Sequence, residues 1–156
     1  MLEHHAMDAW TISEVFLDLL QDKLLNYQKF YDLSVDERDA LRNENIDKLA
    51  GILKDKSHLQ YKIMAIEREM DLLTGQHPEF IRKMDSQQNI EYHGTIKMMV
   101  ELLQHIIDYE QLNEEIALQR KGKIQTEITQ LSKGNKLLRS YFKQDTGEAR
   151  FVDKSR

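Results

Sequence analysis

Apolar residues recur at helical spacing along most of this chain, with very little to interrupt them. The sequence contains one proline, six glycines and no cysteine among 156 residues. Steps of three and four residues place side chains on one face of an α-helix, where they need a partner surface to cover them. The pattern therefore predicts an all-α protein. Its clearest stripe is interrupted only by Lys56 and consists of Leu49, Ile52, Leu59, Ile63, Ile66, Met70 and Leu73.

A first helix is expected to begin between Asp8 and Ser13 and to run past Leu41. Asn43 and Asn45 follow it, and asparagine side chains compete for backbone hydrogen bonds in a way that favours turns. We therefore expect a tight turn there, and a connection this short favours an antiparallel pair of helices. The predicted buried face of the first helix is Ile12, Phe16, Leu19, Leu20, Leu24, Tyr27 and Tyr31.

The ends of the first two helices can also be predicted. Thr11 or Ser13 is the expected cap of the first helix, because a side-chain oxygen can accept from the free N–H groups of the first turn. The second helix is expected to span about residues 46–73 and to end at Thr74 and Gly75, with Pro78 beyond.

The longest connection is predicted at residues 74–94, with a short helix at residues 80–84. A third helix then begins near Glu91 or Thr95 and continues to Leu138. Its predicted stripe is Ile96, Met99, Leu103, Ile106, Tyr109, Leu112 and Ile116, followed by Ile124, Ile128, Leu131, Leu138 and Phe142.

The third stripe fades between residues 113 and 123, and Gly122 weakens the helix there, so we expect a hinge or frayed segment. We interpret residues 1–7 as a tag remnant or disordered terminus and residues 8–140 as a single helical domain. Residues 141–156 are interpreted as a flexible basic tail. The predicted architecture is an elongated, coiled-coil-like bundle of an antiparallel helical hairpin and a long third helix.

The composition excludes several classes of function. No run of about 18 apolar residues is present, so we expect no membrane insertion and a cytoplasmic location. The absence of cysteine removes disulfides and thiol catalysis. No phosphate-binding loop or catalytic string occurs, which argues against an enzyme and against a cofactor.

Two pairs of residues have metal-ligand spacing on a helix. Asp55 and His58 lie three residues apart, and Glu101 and His105 lie four apart. A helical metal site needs more ligands than two isolated pairs supply, so we interpret these residues as parts of solvated faces and expect no metal.

The distribution of charge along the chain makes nucleic-acid binding an alternative function. The net charge is −5, yet residues 120–156 carry ten bases and four acids. The remaining body is acidic and would repel a polyanion, so no nucleic-acid partner is expected, although the alternative stays open. The residues concerned are Arg120, Lys121, Lys123, Lys133, Lys136, Arg139 and Lys143, with Tyr141 and Phe142 available for stacking on bases.

Apolar side chains also exceed what three helices can cover. Met98, Met99 and Val100 crowd one turn of the third helix, and the first helix has apolar residues on several faces, namely Val15, Leu17, Leu25, Phe30 and Leu33. Flexible methionine-containing surfaces adapt to amphipathic helices. Either a second copy of the chain or a segment of another protein is expected to complete the burial.

The order of segments resembles the FlgN-like flagellar export chaperones, a family of small all-α proteins of the type III export pathway. The first helix carries a tyrosine and leads into a charged turn, and the second helix has an apolar stripe with an embedded lysine. The segments that carry the resemblance are residues 24–27, 37–41 and 46–59, Leu112–Asn113, and Tyr141 with Gly147 and residues 149–153.

The resemblance implies a cytoplasmic chaperone without turnover. It would bind amphipathic terminal helices of hook–filament junction proteins, prevent their early polymerisation and deliver them to the export gate. Tyr141 is the candidate for docking to the gate. A homo-oligomeric structural coiled coil, and a FliT-like chaperone for the filament cap protein, remain alternatives. The residues expected to contact the client are Ile124, Ile128, Leu131, Leu138 and Phe142.

Overall fold

The computed structural model describes residues 8–122. They form three long helices, α1 (Ala9–Arg42), α2 (Ile46–Gln76) and α3 (Ser86–Gln119), and a 3-10 helix at Phe80–Lys83. No strand occurs within this range. The predicted all-α fold of three long helices is confirmed. The helix α3 ends at Gln119, within the range of residues 113–123 where a hinge or frayed segment is predicted. The part of the predicted third helix from residue 123 to Leu138 lies outside the described residues. The domain boundaries stay predictions.

The turn between α1 and α2 lies where the two asparagines predicted it. Glu44 adopts the left-handed conformation, with φ of 54°. Its N–H donates to the carbonyl of Leu41, and the N–H of Asn45 donates to that of Ala40. These two bonds satisfy the last carbonyls of α1 in the pattern of a Schellman motif. The Asn45 side chain then caps α2 by accepting from the N–H of Lys48, at 3.2 Å.

Asp8 caps α1, so the prediction of Thr11 or Ser13 was wrong. The Oδ1 atom of Asp8 accepts from the backbone N–H of Thr11 at 2.8 Å. This bond, followed by one from the Thr11 side chain, lowers the pKa of Asp8. Ser13 is instead buried, and its hydroxyl donates to the carbonyl of Phe80.

The connection before α3 is shorter than predicted. The helix α2 continues through Gly75 to Gln76 and stops before Pro78, because the residue preceding a proline disfavours the helical conformation. The helix α3 already begins at Ser86. Asp85 starts it, since its Oδ1 accepts from the N–H of Gln88 at 2.8 Å while the Gln88 side chain accepts from the N–H of Asp85 at 3.2 Å. This reciprocal pair is a capping box.

The described residues form two compact units, and each of the three helices contributes to both. The first unit comprises residues 8–29 and 59–104. The second unit comprises residues 30–58 and 105–122 of the described chain.

The first unit has an apolar and aromatic core. Phe16 packs against Phe80 with ring centroids 4.9 Å apart, which fastens the 3-10 helix to α1. Burial, and after it the charge of Glu67, raises the pKa of Tyr27. Lys23 and Glu67 form a salt bridge of 3.0 Å between α1 and α2. The buried members of the core are Ile12, Phe16, Leu17, Leu20, Leu24, Phe80, Met84 and Met99.

The second unit has an apolar cluster close to the turn between α1 and α2. Arg120 lies beside that turn, where its Nη1 donates to the carbonyl of Arg42 at 2.7 Å and to Glu44 Oε2 at 3.0 Å. The end of α3 is therefore tied to the end of α1. The buried members of the cluster are Ala40, Leu41, Ile46, Leu49, Ile52, Leu53, Ile116 and Ala117.

The three helices have the same directions relative to one another in each of the two units. In the second unit Glu37 pairs with Lys56, and α1 and α2 are antiparallel, as predicted. Their directions in the first unit agree, because Ile12 and Phe16 pack near Met70 and Leu73. In each unit, residues later in α1 contact residues later in α3. The helix α3 is therefore parallel to α1 in both units.

The expectation of surplus apolar side chains is confirmed in part. Leu17, Phe30 and Met99 are buried, and Leu33 is partly buried. The exposed members of the predicted surplus are Val15, Leu25, Met98 and Val100. Across residues 8–122, no helix has the length and apolar character needed to cross a membrane.

Candidate functional site

Exposed large apolar side chains are concentrated in the first unit. Of the twelve such residues in the described chain, ten belong to the first unit and two, Ile107 and Leu118, to the second. A concentration of exposed apolar side chains marks a candidate interaction surface. The ten are Trp10, Val15, Leu25, Tyr61, Met64, Leu72, Ile81, Ile90, Met98 and Val100.

The helix α2 carries a second stripe, on the face opposite its core residues. Tyr61, Met64, Ala65, Arg68 and Leu72 are all exposed and follow one another at steps of three, one, three and four residues. We call these five residues the outer stripe. Tyr61 is 69% exposed and Leu72 is 61% exposed. At 1.5 Å per residue the stripe is about 16 Å long, or three helical turns.

The outer stripe has the chemistry of a helix-binding surface. An amphipathic helix presents anchors at the same three- and four-residue spacing, so its apolar face can lie along such a stripe. Met64 has a flexible thioether that adapts to irregular partners. Arg68 can lay its methylene groups along an apolar partner while its guanidinium stays in water. Lys62 and Glu69 are exposed on one flank, where they can pair with polar residues at the rim of a partner.

A shallow groove of about 280 Å³ lies at the end of the first unit, beside the 3-10 helix. Ala9, Ile12, Pro78 and Phe80 supply its apolar lining, and His77, Glu79 and Lys83 supply polar groups. The groove is open to solvent rather than enclosed.

The second unit instead contains a buried group of charged side chains. Lys56 Nζ lies 2.5 Å from Glu37 Oε1 and 2.5 Å from Glu110 Oε2. Glu37 is fully buried, Lys56 is nearly so, and Glu110 is partly exposed. The ammonium also lies 4.7 Å from the centre of the Phe30 ring, at cation–π distance. We call Glu37, Lys56 and Glu110 the ionic cluster.

Neutral polar groups extend the ionic cluster along α1 and α3. The Ser34 hydroxyl donates to Glu110 Oε2 at 2.7 Å. Asn113 is buried, and its Nδ2 donates to the carbonyl of Ser34 at 2.9 Å. Close by, Arg38 donates to the Tyr109 hydroxyl at 3.2 Å, and Tyr109 packs edge-on against Tyr31.

The client-binding residues predicted from the sequence belong to the chain after α3. They and the docking candidate Tyr141 lie outside the described residues, so those assignments stay predictions. The residues concerned are Ile124, Ile128, Leu131, Leu138, Tyr141 and Phe142.

The two pairs with metal-ligand spacing lie on exposed helix faces. Asp55, His58, Glu101 and His105 are all exposed, and the His105 ring lies edge-on to Tyr31. Within residues 8–122, no group of three or more potential ligands is close enough to hold a metal ion.

The outer stripe was not identified from the sequence, although the sequence contained a signal for it. Tyr61, Met64 and Leu72 recur at helical spacing between the residues of the core stripe. A helix with two apolar stripes gives an ambiguous pattern, because periodicity alone does not say which stripe faces the core.

No protein-family model matches the chain, and comparisons with curated proteins and with solved structures find no significant similarity.

Proposed function

We propose that this protein binds an amphipathic helical segment of another protein on the outer stripe of α2. The observation that carries the proposal is the exposure of Tyr61, Met64 and Leu72 along three turns of one helix. Burying a large apolar side chain is worth about 1.5–3 kcal/mol relative to leaving it exposed. A partner that covers all three gains at most about 4.5–9 kcal/mol before the entropy of association is subtracted, so micromolar binding requires further contacts beside the stripe.

We further propose that the partner is an exported protein, and that the chain acts as a flagellar type III export chaperone of the FlgN-like type. The resemblance in residues 24–27, 37–41 and 46–59 supports this finer proposal. The expected clients are the hook–filament junction proteins, whose amphipathic terminal helices match the chemistry of the outer stripe. The export gate is the expected second partner. Residues 124–142, which carry the sequence-predicted client contacts, would extend the binding surface beyond α2.

Charge favours a protein partner over a nucleic acid. Residues 8–122 contain 22 acidic and 14 basic residues. A polyanion would be repelled by this excess of negative charge. Arg120, which belongs to the basic set predicted from the sequence, is occupied by its contacts with Arg42 and Glu44.

The decisive experiment compares two double variants that each replace two exposed apolar residues by serine. Tyr61→Ser with Leu72→Ser removes the ends of the outer stripe. Ile90→Ser with Val100→Ser removes two residues of α3 that are 67% and 61% exposed. Binding of labelled C-terminal peptides of the junction proteins from the same organism is measured by fluorescence anisotropy, and folding is checked by circular dichroism.

We expect the α2 variant to weaken peptide binding at least tenfold and the α3 variant to change it less than threefold, with both proteins equally helical. If both variants lose the same amount of peptide affinity, the peptide binds through general surface hydrophobicity and not through the outer stripe. Failure of every junction peptide to bind would overturn the chaperone proposal, and binding of filament cap peptides instead would favour the FliT-like alternative.

The structural coiled-coil alternative makes a different prediction about mass. A homo-oligomer that uses the outer stripe would dissociate when Tyr61 and Leu72 are replaced, whereas a client-binding monomer keeps one mass throughout. Sedimentation equilibrium at several concentrations, in low and high salt, distinguishes the two. A concentration-dependent mass that the α2 variant abolishes would replace the client proposal with self-association.

A further inference from the structure

The ionic cluster takes one charged side chain from each of the three helices. Glu37 comes from α1, Lys56 from α2 and Glu110 from α3, and the lysine lies between the two carboxylates. Both contacts are 2.5 Å long. One ammonium therefore joins all three helices of the second unit at a single level.

Stability alone does not account for a cluster of this kind. Removing charges from water costs several kcal/mol for each ion, and well-packed apolar residues of similar volume often stabilise as well or better. The cluster also holds two carboxylates against one ammonium. A helix interface of three apolar residues in its place would avoid that cost.

The apolar contacts of the second unit leave the alignment of α3 weakly determined. Ile116 and Ala117 pack on isoleucines and leucines that recur at helical spacing, Ile46, Leu49, Ile52 and Leu53. If α3 slid by one helical turn, about 5.4 Å, Ile116 would again meet isoleucines and leucines of this row on α2. The same shift would separate Glu110 from Lys56 and leave both charges without this contact.

We propose that the ionic cluster selects a single alignment of α3 against the α1–α2 hairpin in the second unit. Polar residues in apolar helix interfaces are best attested in this alignment role. The neighbouring bonds act in the same sense, since Ser34 joins Glu110 and Asn113 joins the carbonyl of Ser34. Each of them fixes α3 to one level of α1. The proposal is independent of what the outer stripe binds.

The test measures alignment and stability separately. The chain has no cysteine, so spin labels can be placed at two chosen sites only. Asp32→Cys on α1 and Glu115→Cys on α3 are both exposed positions of the second unit. Double electron–electron resonance gives the distribution of distances between the labels, and thermal unfolding gives the midpoint.

The variant to be compared replaces the whole cluster with apolar residues, Glu37→Leu, Lys56→Met and Glu110→Leu. We expect a midpoint equal to or above that of the parent protein, together with a distance distribution that is broadened or split by about one helical turn. A matched control, Lys54→Met with Asp55→Leu, changes exposed residues of α2 and should leave the distribution narrow. A narrow, unchanged distribution in the apolar variant would overturn the proposal.

If the apolar variant does not fold, a second pair of variants tests whether the ionic cluster selects the alignment of α3. Glu37→Lys with Lys56→Glu keeps the contact between α1 and α2 but sets residue 56 against Glu110 with the same charge. We expect a broadened distribution there, and recovery of the narrow one when Glu110→Lys is added. If the double variant already gives the parent distribution, the cluster does not select the alignment of α3.

Discussion

The two compact units are built from the same three helices, yet they divide polar and apolar groups in opposite ways. The first unit has an apolar and aromatic core and exposes ten large apolar side chains, whereas the second exposes two and buries an ionic cluster. A surface of exposed apolar groups suits binding, and a buried polar group suits a unique alignment. One helical fold can therefore hold the proposed binding surface and the proposed alignment device in different stretches of the same helices.

The largest expected effect is the loss of the lysine from the ionic cluster. Lys56→Met leaves Glu37 and Glu110 facing each other without their shared cation, which for a buried ion pair costs about 3–5 kcal/mol. Urea unfolding measures the change in the free energy of unfolding. Lys54→Met is the matched control, because Lys54 is exposed on the same helix and should change stability by less than about 0.5 kcal/mol. A small effect at Lys56 would mean that the second unit does not depend on its buried charges.

The corresponding change in the first unit removes a large apolar side chain. Phe80 is buried and packs against Phe16, and truncation of a buried phenylalanine costs about 3–5 kcal/mol. We expect the free energy lost in Phe80→Ala to lie near the lower end of this range, because the short connection can partly collapse around the cavity. Unfolding monitored by circular dichroism tests this. Ile81→Ala, at the exposed neighbouring position, is the control, and an equal cost there would contradict a core role for Phe80.

The sequence predicted the helices and their buried faces better than the contacts between them. Lys56 is the only polar residue in a long apolar stripe of the sequence, but its partners Glu37 and Glu110 lie 19 and 54 residues away. No periodicity within one helix can identify partners on two others. The outer stripe was missed because α2 carries two apolar stripes, and only packing decides which of them is covered.

The start of α3 shows a signal that was present in the sequence and misinterpreted. The polar composition of residues 85–89 predicts that they belong to a long connection. Asp85 and Gln88 nevertheless have the spacing of a capping box, and both reciprocal bonds are formed. Polar composition and helix-start chemistry overlap, so composition alone misplaced the beginning of α3.

An intermediate effect is expected from removing that cap in the first unit. Asp85→Ala loses the bond to the N–H of Gln88 and also the acceptor of the Trp10 indole, which donates to Asp85 Oδ2 at 3.0 Å. Loss of an N-cap costs about 0.5–2 kcal/mol, and we expect the upper part of that range. Asp85→Asn keeps a capping oxygen and should recover most of the stability. If the asparagine variant is as unstable as the alanine variant, the charge of the carboxylate or its second oxygen, which accepts from Trp10, matters more than the cap.

The smallest effect compares the same substitution in both units. Gly51 lies in α2 in the second unit and Gly94 lies in α3 in the first, and a Cβ atom at either position would meet nothing within 4 Å. Replacing a glycine within a helix by alanine reduces the entropy lost on folding, so Gly51→Ala and Gly94→Ala should each stabilise the protein by about 0.5–1 kcal/mol. Urea unfolding of the two single variants measures both gains. Equal gains would show that backbone entropy on an exposed helix face does not depend on which core lies beneath it. A loss of stability at Gly94 alone would instead show that the crowded apolar surface of the first unit leaves no room for a methyl group there.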